Sequence, residues 1–172
     1  MIDSGTDDPA RRPTDDRLEI RPATTADAGA VADVFLGSFH ATYTFPLAHT
    51  DDEVRSWIRE HVGGEWETWV AVEAGRVVAM MVVGPGELDH LYVAPDHLGL
   101  GIGRRLVDKA KERRPDGLTL YTFQVNERAR HFYERNGFVA EAFGDGTGNE
   151  ERQPDVRYAW HPTSDGRGTH SR

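Results

Sequence analysis

Apolar residues recur along this chain in short runs whose period changes repeatedly between two and about 3.6. Residues 18–21 alternate and predict a short strand. Thr25-Ala26-Asp27 then opens a helix to about His40, with Ala30, Val31, Val34, Phe35 and Phe39 on one face. Residues 51–61 predict a second helix that turns Val54, Trp57 and Ile58 inward. Residues 68–73 and 76–83 predict strands joined by a tight Ala-Gly turn. Residues 87–93 form the next expected strand, 101–113 a helix, and 118–123 a strand followed by a helix from Asn126. Residues 138–143 and 156–160 finish the sheet. No internal repeat or linker interrupts the series. The pattern predicts one α/β domain over residues 17–161, a mixed sheet with helices on both faces. The polar stretches 1–16 and 162–172 hold few apolar anchors and are expected to be disordered tails.

The densest local signal is LYVAPDHLGLGIGRRL, residues 91–106, where an apolar strand runs through a glycine-spaced loop into a helix. Gly99, Gly101 and Gly103 leave backbone N–H groups unshielded where the helix begins, a setting that favours an anionic phosphate. A P-loop is excluded, because no Gly-Lys-Ser/Thr follows. The dinucleotide fingerprint is excluded too: Arg104 stands at the third glycine position, and residues 118–126 hold no acid. On glycine spacing alone, a plain strand–turn–helix junction explains the loop equally well.

A second motif, NERARHFYERNGF, begins about twenty residues after that loop. Asn126, Ala129, Arg130 and Tyr133 fall at i, i+3, i+4 and i+7 and share one helix face. The two motifs together resemble the GNAT superfamily of acetyl-CoA-dependent acetyltransferases, and the resemblance spans most of residues 18–160. It implies a GNAT-like fold with a central, mostly antiparallel mixed sheet. It also implies roles. Leu91 and Val93 would bond the acetyl and pantetheine amides through their backbone. The loop amides of Gly99, Gly101, Ile102, Gly103 and Arg104 would hold the pyrophosphate. Asn126 would contact the pantetheine arm, and Tyr133 would protonate the departing thiolate. The family loop usually opens with Gln or Arg, where this chain has Leu98. Weaker or differently oriented cofactor contacts are therefore expected, with Arg104 and Arg105 available to supply a cation.

The residue types suit acyl transfer from a thioester, which needs a neutral amine, a polarised carbonyl and a protonated leaving group. A tyrosine hydroxyl, with a reference pKa of about 10, carries its proton at neutral pH. Tyr133 also reads as a core aromatic of an amphipathic helix, and Asn126 as a helix N-cap. The base is open between Glu87, which matches the glutamate position of the histone-type branch, and His90, whose ordinary pKa suits proton abstraction. Strict alternation puts Glu87, Asp89, Leu91 and Val93 on one face and His90 on the other, and a bulge would shift that parity. Glu87 is placed first. Glu150, Glu151 and Asp155, between the Tyr133 helix and the last strand, read either as an acceptor-recognition cluster or as a solvated acidic loop. The aromatic link after the first helix, with Tyr43 and Phe45, and Trp57 beyond it, either lines an acceptor pocket or packs a loop onto the core.

Composition narrows the rest. The 172 residues carry a formal net charge of −9, which makes nucleic acid an unfavourable partner. There is no cysteine, hence no disulfide framework and no thiolate chemistry. The eight histidines lack H-x-x-x-H spacing and no Gly-x-Ser-x-Gly elbow occurs, so neither a metal nor a serine nucleophile is expected. No apolar run has membrane-spanning length and no signal-peptide core is present, so a cytoplasmic location is expected. The expected activity is acetyl transfer from acetyl-CoA to a primary amine by direct attack in a ternary complex. A non-catalytic acyl-CoA-binding module, or an acyltransferase with another acyl group or an oxygen acceptor, are the alternatives. The acceptor is a small molecule such as a polyamine, aminoglycoside or amino-acid-like amine, or else a protein N-terminus or lysine. A homodimer is compatible with the resemblance.

Overall fold

Seven strands build a single sheet in the order β1-β2-β3-β4-β5-β7-β6 in this computed structural model, which describes residues 17–163. They are β1 (Leu18–Pro22), β2 (Glu67–Glu73), β3 (Arg76–Gly84), β4 (Glu87–Val93), β5 (Leu118–Phe123), β6 (Val139–Gly144) and β7 (Asp155–Trp160). Every neighbouring pair is antiparallel except β4–β5, which is parallel. Four helices cover the sheet: α1 (Ala28–Thr42), α2 (Asp51–His61), α3 (Ile102–Arg113) and α4 (Glu127–Arg135). The disorder expected at both termini falls outside the described residues, apart from 162 and 163. No helix among the described residues is long and apolar enough to cross a membrane.

Local chemistry sets the boundaries. The β2–β3 hairpin turns on Ala74 and Gly75, both at positive φ (49° and 76°), the geometry a two-residue hairpin requires. Thr50 and Glu53 cap α2 reciprocally: the Thr50 hydroxyl accepts from the Glu53 N–H at 3.3 Å, and the Glu53 carboxylate accepts from the Thr50 N–H at 2.8 Å. A 3₁₀ turn over Thr25–Asp27 precedes α1, so the expected first helix starts later and runs two residues past His40.

The helices bury two separate apolar layers. On one face Ile102, Leu106, Val107 and Ala110 of α3 and Tyr133 of α4 pack on Val83 and Leu120. On the other, Val31 and Phe35 of α1 and Val54 and Ile58 of α2 pack on Val70 and Met80. Trp57 departs from the expectation. It is 45% exposed and stacks on His61 one turn on, because its position lies at the edge of the α2 stripe rather than in its centre.

Two irregularities in the sheet make room for a site. Val82 pairs with His90, but the next residue, Val83, pairs with Leu88, so Asp89 is an extra residue bulged out of β4. Parity reverses there. Leu88 joins Leu91 and Val93 on the α3/α4 side, whereas His90 and Tyr92 meet Phe35 of α1. The second irregularity is a splay: β4 and β5 pair only at Glu87↔Thr119 and then part.

Candidate active site

The splay opens a cleft of about 1400 Å³. One wall is residues 88–93 of β4, the other residues 121–123 of β5, and the glycine loop and α4 close its ends. Leu91, Val93, Leu98, Gly99, Gly101, Ile102, Gly103, Arg104 and Asn126 all line it, so the structure brings the sequence-predicted cofactor residues together.

The loop is built to expose amides. Gly99 and Gly101 sit at φ of 78° and 80°, and nothing approaches within 4 Å of where their side chains would be. Gly101 is the N-cap of the 12-residue α3, whose first amides point into the cleft end with no side-chain cap. Gly103 is small for another reason: the Phe132 ring of α4 lies 3.1 Å from its missing Cβ. His97 anchors the loop's start. Its Nε2 lies 2.9 Å from Glu73 Oε2 and its Nδ1 lies 2.8 Å from Asp96 Oδ1. His97 and Arg76 together hold the Asp96 carboxyl down at about 2. Leu98 is 42% exposed and adds no charge. Arg104 lines the cleft, whereas the Arg105 guanidinium turns away and donates to the Leu18 carbonyl at 3.3 Å. Lys111, Arg128 and Arg135, unremarked in the sequence, line the cleft as well. They come from two helices, and only the packing of α3 beside α4 brings them together.

Tyr133 is buried, and burial, reinforced by Tyr43, pushes its hydroxyl well above the usual tyrosine range. Its ring is fixed against Phe132 and Phe138, while its hydroxyl has no hydrogen-bond partner among the described residues. A protonated donor therefore lines the cleft unused. Asn126 does cap α4, accepting from the Ala129 N–H at 3.0 Å, and its Nδ2 donates to the Tyr43 hydroxyl at 2.8 Å. One amide hydrogen remains for a ligand. Tyr92, missed in the sequence between two apolar neighbours, also lines the cleft, and burial raises its hydroxyl too.

The three candidate bases part company. Glu87 lies at the closed end of the splay, paired in register with Thr119, and lines neither this cleft nor the chamber beyond it. Burial and Asp89 raise its carboxyl, and Arg157 opposes them. His90 lines both spaces, keeping 27% of its side-chain surface open. The rings of Phe35 and Trp57 stand edge-on to it at 5.5 and 6.3 Å, and its Nε2 lies 3.3 Å from Asp89 Oδ2. Burial lowers its pKa, with Asp89 and Glu151 pulling the other way. His90 is thus a neutral imidazole at physiological pH.

The acidic run after β6 is an ordered loop. Asn149 ties it together, donating to the Gln153 carbonyl at 2.7 Å and to Asp155 at 3.0 Å, and accepting from the Gln153 N–H at 3.1 Å. Asp155 lines the cleft edge but spends its carboxylate on that tie. Glu151 reaches both spaces beside His90, and Glu150 pairs with His49 at 3.0 Å across the α1–α2 link. Phe45 packs in an aromatic cluster with Tyr43 and Phe123 and lines neither space. No group of three or more metal-ligating side chains occurs among the described residues.

Residues 64–140 match the acetyltransferase (GNAT) domain. The peptidyl-lysine N-acetyltransferase YjaB of Escherichia coli K12 is 31% identical over 122 residues, covering 70% of this chain and 82% of that protein. The chain belongs to the GNAT acetyltransferase family. YjaB of Salmonella typhimurium is 38% identical over 122 residues, covering 70% and 83%. The solution structure of apo YjaB from Escherichia coli superposes with a TM-score of 0.70 at 27% identity, covering 84% of this chain and 98% of that one. The coenzyme A complex of PaiA N-acetyltransferase from Thermoplasma acidophilum shares the fold, with a TM-score of 0.64 at 20% identity, covering 84% and 98%.

As a GNAT enzyme the protein is an N-acetyltransferase with acetyl-CoA as donor. The cleft suits that donor on its own geometry. Open left-handed glycines precede a helix N-terminus, Arg104, Lys111, Arg128 and Arg135 line the cleft alongside five carboxylates, and a tyrosine hydroxyl without a partner among the described residues faces it.

Proposed function

We propose that the protein acetylates the side-chain amine of lysine in peptides or proteins, with His90 as general base and Tyr133 as general acid. The observation that carries this is the convergence on one cleft of two groups in complementary protonation states. His90 is neutral because burial disfavours its cation, and Tyr133 is protonated because burial disfavours its anion. His90 lies beside Asp89, its Nε2 3.3 Å from Asp89 Oδ2, and the lone pair of its neutral ring takes a proton from the incoming ammonium. The freed amine attacks the thioester carbonyl; as the C–S bond breaks, Tyr133 gives its proton to the departing thiolate, and the second proton shed by the attacking nitrogen restores the phenol, while His90 returns its proton to solvent. Leu91 and Val93 offer backbone groups on the open edge of β4, where β5 has peeled away.

The sequence places Glu87 first as base, by its match to the glutamate position of the histone-type branch. The bulge at Asp89 favours His90 for that role, because Asp89 and His90 line the cleft while Glu87 stays at its closed end. The lysine acceptor draws on the activity named for the YjaB relatives. It also fits Asp89 and Glu151 beside His90, which attract a cation.

The test is thiol release from acetyl-CoA with lysine peptides, followed by mass spectrometry of the product. The chain has no cysteine, so the colour reagent meets no protein thiol. Acetyl on the lysine Nε supports the reading. Modification confined to α-amines, or none with any amine, rejects it.

A further inference from the structure

A second chamber of about 810 Å³ lies between α1/α2 and the sheet. It meets the cofactor cleft at Asp89, His90 and Glu151, which line both. Its floor is a row of cross-strand partners: Thr68 on β2 pairs with Val82 on β3, and Val82 pairs with His90 on β4. Two inter-strand spacings separate the ends of that row, so Thr68 lies about 10 Å from the proposed base.

Two independent features of the chamber ask for a ligand. Thr68 is 8% exposed, and its hydroxyl has no hydrogen-bond partner among the described residues. No fully buried side-chain polar atom among the described residues lacks a partner, so this hydroxyl, on a side chain otherwise packed away, keeps its open surface to the chamber and is free to bond to what enters it. The charge is also one-sided. Glu53, Glu60, Glu65, Asp89, Glu150 and Glu151 line the chamber, with no lysine or arginine among its lining residues. Of these, the carboxylates of Glu60, Glu65 and Glu151 make neither an ion pair nor a hydrogen bond among the described residues. Trp57 and Trp66 add aromatic faces, which attract cations.

We propose that this chamber binds a second cationic group of the acceptor, about 10 Å from the amine that is acetylated. The acceptor lies along the row, its reacting amine at His90 and its second cation among Thr68, Trp66 and the free carboxylates. This rests on amine acetylation at His90 as described above. The same chemistry is supplied by a lysine or arginine near the target lysine in a peptide, or by the far nitrogen of a linear polyamine. A lysine side chain alone would leave the far end of the row empty.

The experiment compares matched acceptors. One arm uses lysine peptides of one length with arginine, alanine or glutamate placed one to three residues from the target. The other uses an eight-carbon α,ω-diamine against the eight-carbon amino alcohol. The dicationic member of at least one arm should have kcat/KM about tenfold or more higher, carried by KM. Thr68→Val and Glu65→Gln should each reduce that advantage severalfold without moving the KM for acetyl-CoA. Whichever arm shows the preference names the source. Equal use of mono- and dicationic acceptors in both arms, or a preference untouched by both variants, overturns the proposal. Calorimetric binding of the diamine and the amino alcohol to the enzyme is measured alongside. Where no acceptor of either arm is acetylated, tighter diamine binding rejects the lysine reading and keeps the subsite, whereas equal binding rejects both.

Discussion

In the proposed mechanism Tyr133 and His90 each act through one proton, and in both cases burial decides where that proton sits. A phenol in apolar surroundings resists ionisation, so Tyr133 reaches the cleft still able to donate. Tyr133→Phe removes only that hydroxyl and leaves the ring contacts with Phe132 and Phe138. It should lower kcat about 10²-fold while the KM for acetyl-CoA stays within about twofold, the signature of a lost acid rather than a lost binding contact. Steady-state kinetics reads both at once, and an unchanged kcat removes Tyr133 from the mechanism. For His90 the sign runs the other way. Burial lowers its pKa below the ordinary 6.5, so the base-competent neutral form persists to lower pH. The rate should rise with pH along a limb centred below about 6.5 and then level off. His90→Gln should flatten that limb and depress turnover throughout. A limb that survives in the variant assigns it to another group.

At the scale of elements, most of the fold was legible because amphipathic periodicity is local. β4 at 87–93 and β5 at 118–123 appear where alternation put them, and α2 spans the expected 51–61. What escaped is what depends on pairing. Nothing in Glu-Leu-Asp-His marks Asp89 as the extra residue; the bulge appears only when Val82 and Val83 choose their partners. On that one residue rests the proposal of His90 over Glu87 as base. Of the two readings of Trp57, inward packing fails and pocket lining fits, because an aromatic on the edge of an apolar stripe has two stable environments, core or cleft wall. Arg128 and Arg135 escaped because charges on a helix read as solvated until α3 is seen beside them. The glycine loop, by contrast, was legible, since left-handed positions select glycine directly. Gly101→Ala tests that reading at the start of α3. At φ of 80° an alanine is strained, so a stability loss of about 1–2 kcal/mol is expected in thermal or urea unfolding. Because the loop amides move with that residue, acetyl-CoA should also bind more weakly. A variant as stable as the parent would mean that the loop relaxes out of the left-handed region.

Across the whole molecule, the cations are placed unevenly. The chain carries −9; the donor cleft is lined by Arg104, Lys111, Arg128 and Arg135 as well as by Asp89, Asp108, Asp145, Glu151 and Asp155, while the neighbouring chamber is lined by carboxylates without a lysine or arginine. The two substrates therefore meet different fields. An anionic donor is repelled at long range by the net charge and attracted at short range by the four cations, so salt screens two opposing effects. A cationic acceptor is attracted by both the net charge and the chamber, so salt screens two effects of one sign. Raising ionic strength from about 0.01 M to about 1 M shortens the screening length from about 30 Å to about 3 Å. Over that range kcat/KM for a dicationic peptide should fall about tenfold or more, through KM. The KM for acetyl-CoA should change by a smaller factor, and kcat at saturation should hold. Glu60→Gln and Glu65→Gln together should flatten the acceptor's salt dependence while leaving the donor's alone. If both substrates respond to salt equally, the charges act on the fold as a whole and the division between cleft and chamber has no functional meaning.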